Sequence, residues 1–270
     1  MKLGVYILGL STVAAGVFDL IWREFEPAHQ PIQALGDHIP GQQILAYITA
    51  AWLVVVGAAL LWRRTTRAAA IAIGVVYLAF ALFWLPRFYT APLVLGVHAS
   101  VYISVLAGMC SQLIVVAAAV LLFSVSSNNQ VQSGNVTSIA RVIFGIGPVF
   151  FGLGHLTGAQ ANAFMVPQWM PWGQIFWANL TGVAFVLAGS AILTGILDVL
   201  AARLLALMLL VFSAFSLIPR LVAAPHQHIP WGSNAYNLAA VGSVWIYAEF
   251  IAKRRTARKS DVETSAALAS

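Results

Sequence analysis

Apolar residues run along this chain in long blocks separated by short polar stretches. Blocks long enough to cross a bilayer, which takes about 20 residues, fall at 3–22, 43–62, 68–86, 100–123, 139–156, 174–194, 201–219 and 235–252. The pattern predicts an all-α, polytopic membrane protein with eight transmembrane helices. The segment from Ser124 to Ser138, rich in Ser, Asn and Gln, is the only polar linker in the middle of the chain, and it parts the helices into two blocks of four. An even number of helices per block sends both blocks into the membrane in the same sense, so the expectation is two parallel four-helix repeats about a pseudo-two-fold axis along the membrane normal. The predicted organisation is a first repeat at 1–123, a cytoplasmic linker at 124–138, a second repeat at 139–252 and a basic tail at 253–270. The tail has no apolar pattern, which predicts disorder, with its basic part against lipid.

A repeated phrase supports the duplication. Leu85-Pro86-Arg87 and Ile218-Pro219-Arg220 each close a long apolar run. After each Arg come four residues and a second Pro (Pro92, Pro225), then a Tyr (Tyr102, Tyr236) followed six positions later by Gly (Gly108, Gly242). Gly16-x-x-Asp19-Leu20 pairs with Gly152-x-x-His155-Leu156, and Gly41 with Gly57 matches Gly173 with Gly189. Gly182, Gly189 and Gly195, with Gly145 and Gly152, fall at spacings that put small residues on one face and suit close helix packing. Lys2 and the apolar run to Ile21, with Ala14-Ala15-Gly16, have the outline of a cleaved signal peptide; the duplication argues for a retained first helix that matches the fifth.

Composition agrees with the pattern. The chain is 61% hydrophobic and 8% charged, with mean hydropathy +0.88, against roughly a quarter charged in soluble domains. The single cysteine, Cys110, lies inside an apolar run, which excludes thiol–disulfide exchange within the chain and a Cys-x-x-Cys zinc site. A formal charge of +6 points to anionic lipid rather than nucleic acid, because the basic residues flank the apolar blocks or sit in the tail. Placing Lys2, Arg63, Arg64, Arg67, Arg141, Arg203 and the tail cations in the cytoplasm puts both termini inside, as in a bacterial inner-membrane protein. Only Arg23, Arg87 and Arg220 then fall outside.

Candidate chemistry gathers at that outer end. An Arg at the rim of an apolar segment is costly unless something receives it. The outer acids Asp19, Glu24, Glu26 and Asp37 all belong to the first repeat, so Arg220 has no counter-ion in its own. It must reach across the pseudo-axis, meet backbone carbonyls, or hold an external group such as a quinone carbonyl, a lipid phosphate or a small carboxylate. All six histidines fall outside: His29, His38, His98, His155, His226 and His228. With none at the inner leaflet, haem-mediated electron transfer across the membrane by this chain alone is disfavoured. His226-x-His228 reads as an interfacial loop, and no metal site is assigned. The apolar loop from Phe164 to Gly173 is expected to fold over the outer face with Trp169 and Trp172 at headgroup level. Asn179, Asn234, Tyr236 and Asn237 are candidates to line a cavity beneath it, and Gln112 to tie helices together. Glu249 pairs with Lys253 one turn on.

The second repeat carries Phe151-Gly152-Leu153-Gly154-His155-Leu156, the Val166-Pro167 to Pro171-Trp172 loop, Leu180-Thr181-Gly182 through Gly189 to Leu193-Thr194-Gly195, and Ala201-Ala202-Arg203-Leu204. With these it resembles the DoxX/DoxD-type four-helix membrane proteins over about 138–252. The first repeat joins through its similarity to the second, with Asp19 where the second has His155 and no acid at Thr181 or Gly182. The resemblance implies a four-helix bundle unit and membrane redox systems such as thiosulfate:quinone oxidoreductase; the cofactor is left open, with a quinone as one candidate, and a membrane or periplasmic redox partner is expected. The expected ligand-binding residues are Arg87, Arg220, His155, His226, His228, Trp169, Trp172, Tyr236, Asn237 and Asp19, with the histidines as proton partners because imidazole titrates near neutrality. A protein that binds or moves a small amphiphile or lipid, and an assembly subunit that docks a periplasmic partner, are the alternative readings.

Overall fold

The computed structural model describes residues 1–30, 41–126 and 133–269, and every regular element among them is helical. In order these are α1 (Lys2–Trp22), α2 (Gln42–Leu61), α3 (Thr66–Leu82), α4 (Arg87–Leu95), α5 (Ala99–Ser126), α6 (Ser133–Thr157), α7 (Ala159–Ala163), α8 (Gln174–Thr194), α9 (Asp198–Phe212), a π-helical turn (Ser213–Leu217), α10 (Ile218–Ala223) and α11 (His228–Ala269). Each predicted apolar block forms a helix. Among the described residues six spans are long and apolar enough to cross a membrane: α1, α2, α5, α6, α8, and α9 continued to Ala223. The α3–α4 pair, bent by 45°, would be a seventh. This is the make-up of a multi-pass helical membrane protein. On α2, Ile44, Ile48, Trp52 and Val55 are exposed at helical spacing on one face, as a lipid-facing stripe requires.

Helix pairs form where glycine lets backbones meet. A Cβ on Gly16 of α1 would lie 2.5 Å from the Ala50 carbonyl and 2.9 Å from Val54 of α2. On Gly152 of α6 it would lie 2.5 Å from the Gly182 carbonyl and 2.6 Å from Val186 of α8. Gly57 meets Val13 and Gly9 as Gly189 meets Val149 and Gly145. With apolar lipid as the competing solvent, such contacts hold helices together by dispersion and by closeness of approach. α3 lies on α5 and α9 on α11, while α5 packs on α6 and α11 on α1, with α5 and α11 also touching. Cys110, Ile114, Ala118 and Leu121 of α5 and Val241, Val244, Ile246 and Tyr247 of α11 are buried, so these two helices form the interior.

Two deformations matter for the site. Pro86 and Pro219 each lack an N–H and crowd the carbonyl one turn back. Before Pro86 the helix breaks between Leu82 and Arg87; before Pro219 it widens into the π turn, where the Ile218 N–H donates to the Ser213 carbonyl. Asn237 donates to the Leu209 carbonyl (2.8 Å) and the Ser213 hydroxyl (2.9 Å), so its amide braces the turn.

The far end of the bundle carries an ion cluster. Asp198, 0% exposed, opens α9 between Arg141 of α6 (3.3 Å) and Arg255 of α11 (2.7 Å). Glu249 departs from the pairing with Lys253 expected of it: it pairs with the Met1 amino group and accepts from Trp245 Nε1 at 2.9 Å. The chain ends also differ from expectation. α5 runs to Ser126 and α6 starts at Ser133, so both helices enter the predicted linker, and α11 stays helical to Ala269 where the sequence reading has a disordered tail. Ala, Arg, Lys and Glu are strong helix formers, and a helix already nucleated extends at little cost.

Candidate functional site

The residues that follow α1 turn back into the bundle. α1 stops at Arg23, whose φ of 61° is left-handed, and Glu26 and His29 are then carried inward to 4% and 0% exposure. Buried backbone needs partners, and three side chains supply them. Trp84 Nε1 donates to the Ala28 carbonyl (3.0 Å), Gln112 Nε2 to the same oxygen (3.3 Å), and Arg87 Nη2 to the carbonyls of Pro27 (3.0 Å) and Gln30 (3.1 Å). Gln112 also lies 3.4 Å from the Tyr236 hydroxyl, linking α5 to α11. Arg87 is 7% exposed and its guanidinium stacks 3.8 Å from the Trp84 ring, a contact that strengthens when desolvated. The break before Pro86 is what turns Trp84 and Arg87 together toward this segment.

Beside it lies an acid–imidazole cluster. His228 Nε2 is 3.1 Å from Asp19 Oδ1 and its Nδ1 3.2 Å from Glu24 Oε1. Asp19 Oδ1 also accepts the Glu26 N–H (3.2 Å), and Glu26 Oε2 the Ala28 N–H (2.6 Å). Gly232 makes room, since a Cβ there would lie 2.6 Å from Glu26 Cγ. Burial, and then the nearby Asp19 carboxylate, push Glu26 up to about 7. Burial opposes the charged form of His228, but the bond to Asp19 and the surrounding carboxylates raise it above its ordinary value. His29 goes the other way, to about 3, through burial and the neighbouring Arg87 and His228 charges. It sits in an aromatic box, stacked 4.2 Å from Phe80 and edge-on to Tyr77 and Tyr236, with neither ring nitrogen hydrogen-bonded. His29 is therefore held neutral.

Against this structure lies a cleft of about 340 Å³ between α4 and α5 on one side and α6 and α7 on the other. Trp84, Arg87 and Thr90 form one edge, Leu95, Val101 and Val105 an apolar wall with Ser100 and Ser104 beside it, and Gly154, Gly158 and Asn162 the facing wall. Arg87 Nε and Thr90 Oγ1 are buried without a hydrogen-bond partner. A mostly apolar hollow with a few unspent polar groups is the usual form of a small-molecule site.

Of the predicted site residues, Arg87 alone lines the cleft. Asp19, His228 and Tyr236 stand in the cluster behind it. The others separate. Arg220 meets neither carboxylate nor carbonyl among the described residues; its guanidinium lies 5.0 Å from the Phe164 ring. Trp169 rests edge-on to Phe215, and Trp172, 74% exposed, packs on Phe176 and Trp177, so neither indole covers the cleft. His155 bonds the Phe151 carbonyl (2.9 Å) among Phe185 and Phe212. His226 contributes its carbonyl to Trp22 Nε1 (3.1 Å), Asn179 donates to Ile175 (3.0 Å) in its own helix, and Asn237 braces the π turn. Asp37 and His38 lie outside the described residues. No group of three or more His, Cys, Asp or Glu with metal-binding geometry occurs among the described residues.

Sequence reasoning missed the inward turn of Glu26 and His29, and the edge made by Trp84 and Thr90. The signal was present: Trp84-x-x-Arg87-x-x-Thr90 repeats at the spacing of one helix face. Asp198, the only acid between the apolar blocks of the second half, was an equally visible sign of the far cluster. Compared with known proteins, the chain matches no family model, no curated protein and no solved structure.

Proposed function

We propose that this chain is a DoxX-like membrane protein of two four-helix repeats and eight spans, which binds a quinone-like lipophilic molecule near the outer leaflet and serves a membrane redox system. The repeat reading is supported by the matched glycine contacts of α1 with α2 and of α6 with α8, and by the exchange in which α5 of one half packs on α6 of the other while α11 packs on α1. The bent α3–α4 pair and α11 complete the eight. Orientation follows the charges: Arg63, Arg64, Arg67, Arg141, Arg203 and Lys253 lie toward the Asp198 end, the side that positive-inside bias places in the cytoplasm.

The observation that carries the function is the cleft itself. Its apolar walls suit a lipophile, and the Arg87 side chain at its edge gives a carbonyl oxygen of that lipophile a cation to meet. The acid–imidazole cluster behind Arg87 is the kind of group that exchanges protons with the outer face. Mass spectrometry of the protein purified in mild detergent should find an isoprenoid quinone, and a quinone titration should saturate. Phospholipid alone in the extract, with no quinone binding, would overturn this reading in favour of lipid binding or transport.

A further inference from the structure

We infer that the cleft seats a flat ring of about indole size, and that Gly154 and Gly158 are the residues that keep it open. The inference rests on the repeat reading and on Arg87 as the polar edge. In the register that sets Gly16 against Gly152 and Asp19 against His155, Phe18 stands against Gly154 and Trp22 against Gly158. The two halves therefore hold two equivalent places, one between α6 and the α4–α5 turn, the other between α1 and the α10–α11 turn. The second is filled by the protein's own rings. Phe18 meets Trp231 edge-on at 5.1 Å, and Trp22 stacks on His228 at 5.3 Å and 11° while its Nε1 donates to the His226 carbonyl.

The filled place is a template for the open one. It shows that the fold admits a planar, largely apolar ring at this position, with a polar contact at the ring's edge. In the open place the ring would lie against the glycine wall, with the Arg87 side chain at its edge to meet an acceptor oxygen. The glycine at 154 has no packing role that would explain it. A Cβ there would meet nothing closer than Ile103 at 3.8 Å, whereas one on Gly152 would strike the Gly182 carbonyl at 2.5 Å. A Cβ on Gly158 would be tighter, 3.0 Å from the Gly154 carbonyl. Arg87 is the independent sign of a ligand, being buried, at the edge of the cleft, and short of one hydrogen-bond partner.

Equilibrium dialysis of the full chain in detergent against menadione, a tailless two-ring quinone, tests this. Wild type should bind one menadione per chain. Gly154→Phe should weaken binding at least tenfold with an unchanged melting midpoint. Trp22→Gly should raise the stoichiometry to two, and free indole should compete at the new place. Wild-type affinity in a folded Gly154→Phe variant would overturn the inference and leave the proposed function standing, as would decylubiquinone binding that ignores the same change. A stoichiometry that stays at one in folded Trp22→Gly would overturn the equivalence of the two places. Should Gly154→Phe melt early, the Trp22→Gly stoichiometry decides. If neither menadione nor decylubiquinone binds wild type, the inference and the proposed function fall together.

Discussion

Arg87 and Arg220 stand in the same phrase, each after a proline that deforms its helix, yet they live in different surroundings. Arg87 is buried, bonds two carbonyls of the segment after α1 and borders a cleft. Arg220 is half-buried and lies over Phe164 of the segment after α6. In both halves the arginine reaches the segment that follows the first helix of that half. The first segment offers Glu26, Pro27 and His29; the second offers Phe164 and Met165. The motif sets the place of the cation, and the loop that returns to it decides whether the place becomes a polar network or an apolar rest.

The sharpest test of this contrast is to remove each cation. Arg87→Leu leaves the Pro27 and Gln30 carbonyls without their donor and should destabilise the protein by about 3 kcal/mol, while Arg220→Leu should cost under about 1 kcal/mol. Melting midpoints of the two variants in one detergent should separate clearly; equal losses would break the comparison. A second pair separates packing glycines from the cleft glycine. Gly152→Val forces a side chain against the α8 backbone and should cost about 2–3 kcal/mol, whereas Gly154→Ala should be close to neutral on the same scale.

The far end offers a further asymmetry. Asp198→Asn weakens the hold on Arg141 and Arg255 at a buried position and should cost about 2 kcal/mol, read as a loss of midpoint that added salt does not restore. The last contrast is one of pH dependence. Glu26 binds its proton more tightly folded than unfolded, so its contribution favours folding below about 4.5, falls as pH rises toward about 7, and is flat above. Glu26→Gln should therefore gain on wild type by up to about 1.4 kcal/mol per pH unit in that window. His29 acts in the opposite sense, its contribution being lost as pH falls from about 6.5 through about 3, so His29→Phe should flatten the acid side of the profile. Midpoints of both variants measured from pH 4 to 8 check the signs.

Much of the fold was legible. Every apolar block became a helix, and Gly16, Gly57, Gly152 and Gly189 mark helix contacts because glycine spacing and close approach are both local properties. The site was legible only in part. Arg87 was identified because a cation at the end of an apolar run is conspicuous, but its partners were not, since they are carbonyls, which every residue possesses. Asp19 and His228 were each candidates, but their meeting across 209 positions of sequence is a result of α11 lying on α1. Trp169 and Trp172 are expected over the outer face because their loop is too apolar for a solvated turn; the structure rests Trp169 on the π turn and Trp172 on α8.

By itself, the sequence determined that this is a helical membrane protein with a doubled pattern and two arginines in costly places, because hydropathy, chain direction and repetition are properties of the chain in order. Tertiary structure alone decided which arginine is buried, which acids meet an imidazole, and that a cleft opens between α4–α5 and α6–α7. The physical reason is that a cavity is defined by side chains that are missing from it. Gly154 and Gly158 acquire meaning only when α6 is laid beside α4 and α5.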